Sequence, residues 1–243
     1  MRDPALSKVY VDYFNDTHGM VRDTMRRFVT EAVKPNIDAW EEAGTFPREV
    51  YQQAGSLGLL SIGHPTEFGG SGEQDVFLKV AASEELMRSG SGGFVASLGS
   101  LDIGLPPVWR MGSDELKQRV VPQVLAGEKI IALAITEPSG GSDVANLKTR
   151  AVRDGDHYVV NGSKTFITSG ERADYYTVAV RTGETGFGGV SLLLIEKGTP
   201  GFSVGHNLKK MGWWASDTAE LFFEDVRVPI TNCLGEEGMG FIY

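Results

Sequence analysis

The chain has 243 residues, 41% of them hydrophobic, with 31 Gly and 10 Pro, enough for one large or two ordinary domains with cores of their own. Its net charge of −9, from 23 Lys plus Arg against 32 Asp plus Glu, is spread along the sequence. That distribution argues against a nucleic-acid or anionic-membrane surface and leaves any anionic ligand to find local positive potential. No stretch approaches the about 18 apolar residues of a spanning helix, Met1–Tyr10 lacks the apolar run of a signal peptide, and an intracellular location is expected, bacterial cytoplasm or else mitochondrial matrix. The lone Cys233 and the scattered His18, His64, His157 and His206 offer neither a disulfide nor a metal-ligand spacing, so no metal site is expected.

From Val9 to about Glu128 the apolar residues recur at helical spacing: Val21, Met25, Phe28 and Ala32 in one segment, Val50, Ala54 and Leu57 in another. Pro35 ends or kinks the first long helix, Pro47 suits the first turn of the next, and Gly55 and Gly58 punctuate its end. Further helices are expected at Asp75–Met87, Leu101–Met111 and Asp114–Leu125. Between them, Ser89–Gly93 followed by the small-residue stretch Phe94–Ser100 reads either as a loop or as a helix of little bulk that leaves room for a ligand tail.

After Gly127 the pattern changes to short β-rich runs at Lys129–Thr136, Thr149–Arg153, His157–Val160, Lys164–Thr168, Tyr175–Arg181, Val190–Glu196 and Ala219–Val226. Asp154-Gly155 and Asn161-Gly162 are hairpin-turn dipeptides, so a three-strand meander is expected within Thr149–Thr168. No long helix separates the strands, which argues against a βαβ fold and for a small sandwich or barrel. The expected class is α+β: an N-terminal all-α bundle over 1–128, a small β-sandwich or barrel over 129–234, and at 235–243 the start of a C-terminal helical domain.

Two motifs fail their context. Gly201-Phe202-Ser203-Val204-Gly205 fits a hydrolase nucleophile elbow, but it follows Thr199-Pro200 and runs into extended sequence instead of a helix. The Gly-rich run Gly183–Gly189 joins two strands, with no helix N-terminus to receive a pyrophosphate.

Two others carry chemistry. In Leu133-Ala134-Ile135-Thr136-Glu137-Pro138-Ser139-Gly140-Gly141-Ser142-Asp143 an apolar strand breaks sharply into a small-residue loop. Taken alone it reads as a polar turn, or as a strand end whose backbone and Thr136 hydroxyl meet the polar edge of a planar heterocycle, with Gly140, Gly141 and Ser142 letting amides approach a phosphate. In Lys164-Thr165-Phe166-Ile167-Thr168, period-two alternation puts the Phe166 ring and the Thr168 hydroxyl on one face, as an isoalloxazine needs.

These two blocks, with Met211-Gly212-Trp213 and Asp217–Pro229, resemble acyl-CoA dehydrogenases in sequence and in order, over nearly all of the chain and most closely the long-chain and isovaleryl branches. The resemblance implies FAD as cofactor, held by Leu133, Ile135, Thr136, Gly141 and Ser142 in one segment and Phe166, Ile167 and Thr168 in another. It implies acyl-CoA as substrate, met by Ser142 and by Phe187 and Gly188. Many members have Trp where this chain has Phe166. The implied reaction is α,β-dehydrogenation of the thioester, with hydride passing to flavin N5 and electrons to an electron-transferring flavoprotein, in a homo-tetramer or dimer. Glu137 is expected to serve local structure; the base is expected from beyond Tyr243, so the 243 residues alone should bind FAD weakly and not turn over. Three alternatives stay open: an acyl-CoA oxidase or a flavin monooxygenase of the same fold, and a non-catalytic flavin-binding or partner-binding subunit. The small residues Gly90–Ser100 are expected to line the acyl tail.

Overall fold

The computed structural model describes residues 13–72 and 75–243; the expected helical start at Val9 and the Met1–Tyr10 segment lie outside them. The helical half comprises α1 (Asp16–Phe28), α2 (Ile37–Ala43), α3 (Glu49–Ser56), α4 (Val76–Leu86), α5 (Gly92–Leu98), α6 (Leu101–Gly104), α7 (Pro106–Met111) and α8 (Asp114–Leu125). Local chemistry sets the starts. The Asn15, Asp75, Ser91 and Ser113 side chains accept from first-turn amides and cap α1, α4, α5 and α8.

The first long helix stops at Pro35 as expected, although α1 widens into a π turn over Val29–Val33 before it ends. Two other expectations are corrected. The expected helix Leu101–Met111 is two, since Pro106 cannot donate and starts its own helix, α7. Ser89–Gly93 is neither wholly loop nor wholly helix. Gly90 turns left-handed at φ 84°, Ser91 caps, and α5 begins at Gly92.

The β half is one seven-stranded sheet of β1 (Ile131–Ala134), β2 (Arg150–Asp154), β3 (His157–Thr168), β4 (Tyr175–Arg181), β5 (Val190–Glu196), β6 (Phe202–Asn207) and β7 (Thr218–Pro229). Its order is β1-β4-β2-β3-β7-β6, with β5 also on β4. β1 runs parallel to β4, and β2 touches β4 only at Arg150 and Arg181. The sheet curls there into a half-barrel, so the α+β class stands.

The meander is corrected. Gly155-Asp156 does turn β2 into β3, one residue later than expected, with Gly155 at φ 62°. Asn161-Gly162, however, is no turn: β3 continues through it and slips register against β7 in a bulge. Asn161 and Asp225 pin that bulge by two reciprocal hydrogen bonds of 2.9 Å. From Gly235 to Tyr243 the chain forms turns, with Met239 bridging Val190, where a helix start was expected.

One buried apolar cluster runs through both halves, from Phe28, Phe46 and Phe94 to Ile131, Tyr176 and Phe223. Polar links clasp them as well. Arg48 pairs with Asp174, and Thr177 Oγ1 donates to Gly104 O at 2.7 Å.

Candidate functional site

The strand end of β1 and the far end of β3 are stitched side by side: the Thr165 amide donates to Thr136 O at 2.8 Å. Beneath the junction lies a buried ion pair. Lys164, fully buried, donates from Nζ to Ile135 O and to Glu137 Oε1, both at 2.9 Å. Glu137 Oε1 also accepts from the Thr149 amide at 2.8 Å and Oε2 from the Lys148 amide at 2.6 Å. The carboxylate thus accepts three hydrogen bonds from the protein itself, two at Oε1 and one at Oε2. Burial pushes its pKa up, but Lys164's charge and these hydrogen bonds outweigh that and hold it below the ordinary carboxylate range. Burial pulls Lys164 down to about 8, against the opposing pull of Glu137. Glu137 is a clamp that fixes the loop, as expected from the sequence, and a carboxylate so held is a poor proton acceptor.

Above the clamp the expected residues come together. Glu137 and Gly140 exchange backbone hydrogen bonds of 3.0 and 3.1 Å, and the turn lays Gly141 over Thr136, where a Cβ would sit 3.3 Å from the threonine methyl. Gly140, Gly141 and Ser142 are exposed, and a Cβ on Gly140 would meet nothing within 4 Å. Leu133, Ile135, Thr136 and Thr168 are half-buried.

Phe166 is the most telling residue. The residue is 66% exposed, and its backbone sits at φ 58°, a left-handed conformation that aromatic residues rarely adopt. The register against β7 slips between Lys164 and Ile167. This second bulge breaks strict alternation, turning Lys164 inward while presenting Phe166 outward. A large ring is thus held in solvent at the cost of backbone strain. Ile167 faces the other way: its side chain is in the core, which leaves its backbone alone for ligand contact.

Phe187 and Gly188 sit in the short turn Phe187–Gly189 between β4 and β5. Arg181, which sequence reasoning missed, ties that loop to the one after Ser142: its guanidinium donates to Ala145 O at 2.6 Å, Leu147 O at 2.9 Å, Glu184 O at 2.6 Å and Gly186 O at 3.3 Å. Phe187 is exposed and packs against Phe241, with ring centroids 4.6 Å apart. Ser203 of the rejected elbow is an exposed position on β6, at the sheet edge.

Trp213 was also missed as a packing element. It is exposed and held at φ 58°. A Cβ on Gly93 would lie 2.8–2.9 Å from Trp213 backbone atoms, and one on Gly92 2.5 Å from its indole Nε1. The small residues opening α5 therefore make room for Trp213, where the sequence suggested room for a ligand.

The acyl-CoA dehydrogenase N-terminal domain matches residues 15–128 and the acyl-CoA dehydrogenase middle domain residues 132–226. The chain belongs to the acyl-CoA dehydrogenase family. It is 42% identical over 233 residues to the mitochondrial long-chain specific acyl-CoA dehydrogenase of Mus musculus, covering 95% of this chain and 54% of the relative. Among solved structures, the acyl-CoA dehydrogenase of Geobacillus kaustophilus superposes with a TM-score of 0.90 at 42% identity, over 95% of this chain and 61% of that one. An acyl-CoA dehydrogenase of Bacillus anthracis complexed with FAD superposes with a TM-score of 0.87 at 35% identity, over 95% and 39%. The chain spans about half the length of the curated relatives it matches. Among the described residues no helix is long and apolar enough to cross a membrane, and no cluster of His, Cys, Asp and Glu could hold a metal ion.

Proposed function

We propose that this chain forms the flavin- and thioester-facing wall of an enzyme that dehydrogenates acyl-CoA. The observation that carries the proposal is Phe166, an exposed aromatic held at positive φ two residues before the half-buried Thr168 and next to Thr165, whose amide donates to Thr136 O. That arrangement fits FAD: a ring to lie along the isoalloxazine face, two hydroxyls for its polar edge, and an open glycine loop for phosphate.

In this reading Phe166 covers the ring, Thr168 and Thr136 donate to its polar edge, and the backbones of Ile135 and Ile167 contribute acceptors and donors. Leu133 supports the apolar side. The backbone of Gly141 and the Ser142 hydroxyl face phosphate and thioester, with Phe187 and Gly188 at the far rim toward the CoA moiety. FAD held by these residues would supply a hydride acceptor for the substrate's β-hydrogen. The chain's own contribution is orientation and exclusion of water, which strengthen every hydrogen bond to a developing enolate. Glu137 is committed to Lys164, so removal of the α-proton is assigned to a carboxylate outside the Leu133–Thr168 segment. Transfer of electrons to an electron-transferring flavoprotein, and assembly as a homo-tetramer or dimer, belong to the same proposal.

The test is the visible spectrum of the FAD-loaded protein on addition of acyl-CoAs under anaerobic conditions. A saturable shift of the flavin band with acyl-CoA, absent with the free fatty acid, is expected. A spectrum that no acyl-CoA perturbs would count against the reading.

A further inference from the structure

Behind the strand end proposed to face the flavin, on the side turned to the helical half, lies a cluster of buried polar side chains, the polar chamber, that the proposed chemistry does not use. Five buried side-chain atoms there lack a hydrogen bond of good geometry: Tyr51 Oη on α3, Ser97 Oγ on α5, and Ser169 Oγ, Arg172 Nη1 and Asp217 Oδ1 from the β half. Tyr51, Ser97, Ser169 and Asp217 are each at least nine-tenths buried.

Known contacts bring them together. The Ser169 amide donates to Asp217 O at 3.0 Å, and the Glu171 and Arg172 amides donate to Asp217 Oδ2 at 2.8 and 3.1 Å. The Arg172 guanidinium carbon is 4.6 Å from the Phe46 ring and 5.4 Å from the Tyr51 ring. Phe46 stacks on Tyr51 at 5.3 Å and meets Phe94, one turn before Ser97 on α5, at 4.9 Å. The Ser169 and Ser97 hydroxyls face the Tyr51 phenol. Burial drives that phenol's pKa far above its ordinary value, with Arg172 and the serines pulling the other way.

Leaving so many polar atoms buried together without hydrogen bonds of good geometry is expensive. One positive and one negative group, a phenol and two hydroxyls make a neutral set with both donors and acceptors, which suits water over any ion. Ser169 also carries strain at φ 60° and follows Thr168 directly. The turn it begins is held by Asp217, so whatever fixes the chamber fixes the Thr168 hydroxyl.

We propose that bridging water fills this chamber and that Tyr51, through it, is a positioning residue for Thr168, coupling the helical half to the flavin-facing strand. The coupling to Thr168 rests on the functional reading above; the chamber does not. It would transmit a displacement of α5, by way of Ser97, to the strand that meets the flavin.

The test is amide hydrogen exchange on the flavin-free full chain carrying Tyr51→Phe. Exchange at Ser169, Gly170, Glu171 and Arg172 is expected to accelerate about ten-fold, while the amides of β4 and β5 keep their rates. Unchanged exchange at 169–172, or equal acceleration everywhere, would overturn the chamber. Ser97→Ala should give the same local pattern and decides the matter where Tyr51→Phe does not fold. With FAD added, Tyr51→Phe should shift the bound flavin's absorption maximum relative to the parent chain; an identical spectrum would overturn the positioning role. Failure of the parent chain to bind FAD would sink the functional reading and leave the exchange result to judge the chamber.

Discussion

At Phe166, stability and function pull in opposite directions. The positive φ costs on the order of 1 kcal/mol for a non-glycine residue, and the exposed ring recovers little of it by packing. Phe166→Gly is therefore expected to stabilise the flavin-free chain by up to about 1 kcal/mol in chemical denaturation, and to weaken FAD binding. Lower stability in the variant would contradict the strain. The Lys164–Glu137 pair behaves differently. Removing one partner of a buried pair costs about 3–5 kcal/mol, so Glu137→Gln should lose about 3 kcal/mol near neutral pH. The sign of its pH dependence follows from the lysine: its folded pKa, about 8, lies below its unfolded value because of burial, and without Glu137 it falls further. The variant's deficit should shrink as pH rises through about 8, where Lys164 is neutral in both proteins. For Glu137 itself the folded pKa is lowered, so its contribution is complete above the ordinary value of 4.5 and is lost as the solution is acidified below it. Denaturation curves from pH 3 to 10 on both proteins would check both signs. The clamp was only half legible in the sequence. Alternation puts Lys164 on the face of Phe166 and Thr168, and nothing in the residue types shows the bulge that sends it to the interior.

The elements show why some sequence signals hold and others mislead. Helical periodicity is a local signal, so the expected helices Asp75–Met87 and Asp114–Leu125 lie within a residue of α4 and α8, whose starts the Asp75 and Ser113 side chains cap. Asn161-Gly162 has the residue types of a tight turn, yet the same tolerance of unusual φ serves a bulge, and only pairing with Asp225 on β7 tells the two apart. That partner is 64 residues away. Gly92 and Gly93 mislead for a similar reason: small residues signal close approach, without saying of what. The structure separates the two glycines. A Cβ on Gly93 meets the Trp213 backbone, whereas one on Gly92 meets the tip of the indole, which can swing away. Gly93→Ala is expected to cost about 1–3 kcal/mol and to alter tryptophan fluorescence; Gly92→Ala should cost clearly less in thermal denaturation. Equal losses would mean that the Trp213 loop yields as a whole.

At the scale of the molecule, an apolar core continuous through both halves makes the helical half part of the site's support, although the expected cofactor residues all come from the β half. The order of the blocks around Thr136, Phe166, Trp213 and Phe222 was enough to read the family, while the change from helical to two-residue periodicity near Gly127 had already given the α+β class. What escaped the sequence depends on contacts between distant segments: across the two halves, the fit of Trp213 against α5 and the five polar atoms that include Tyr51 Oη, and within the β half, the span of Arg181 between two loops. The central claim is that the ends of β1 and β3 hold FAD. It is tested most directly by titrating FAD with the purified chain and following flavin fluorescence, in parallel with Thr136→Ala, Phe166→Ala and, as a control at a distant surface, Thr231→Ala. Saturable quenching that the first two variants weaken about ten-fold or more, roughly 1.4 kcal/mol, and the control leaves unchanged is the expected result. FAD that does not bind, or that binds all four proteins alike, would contradict it.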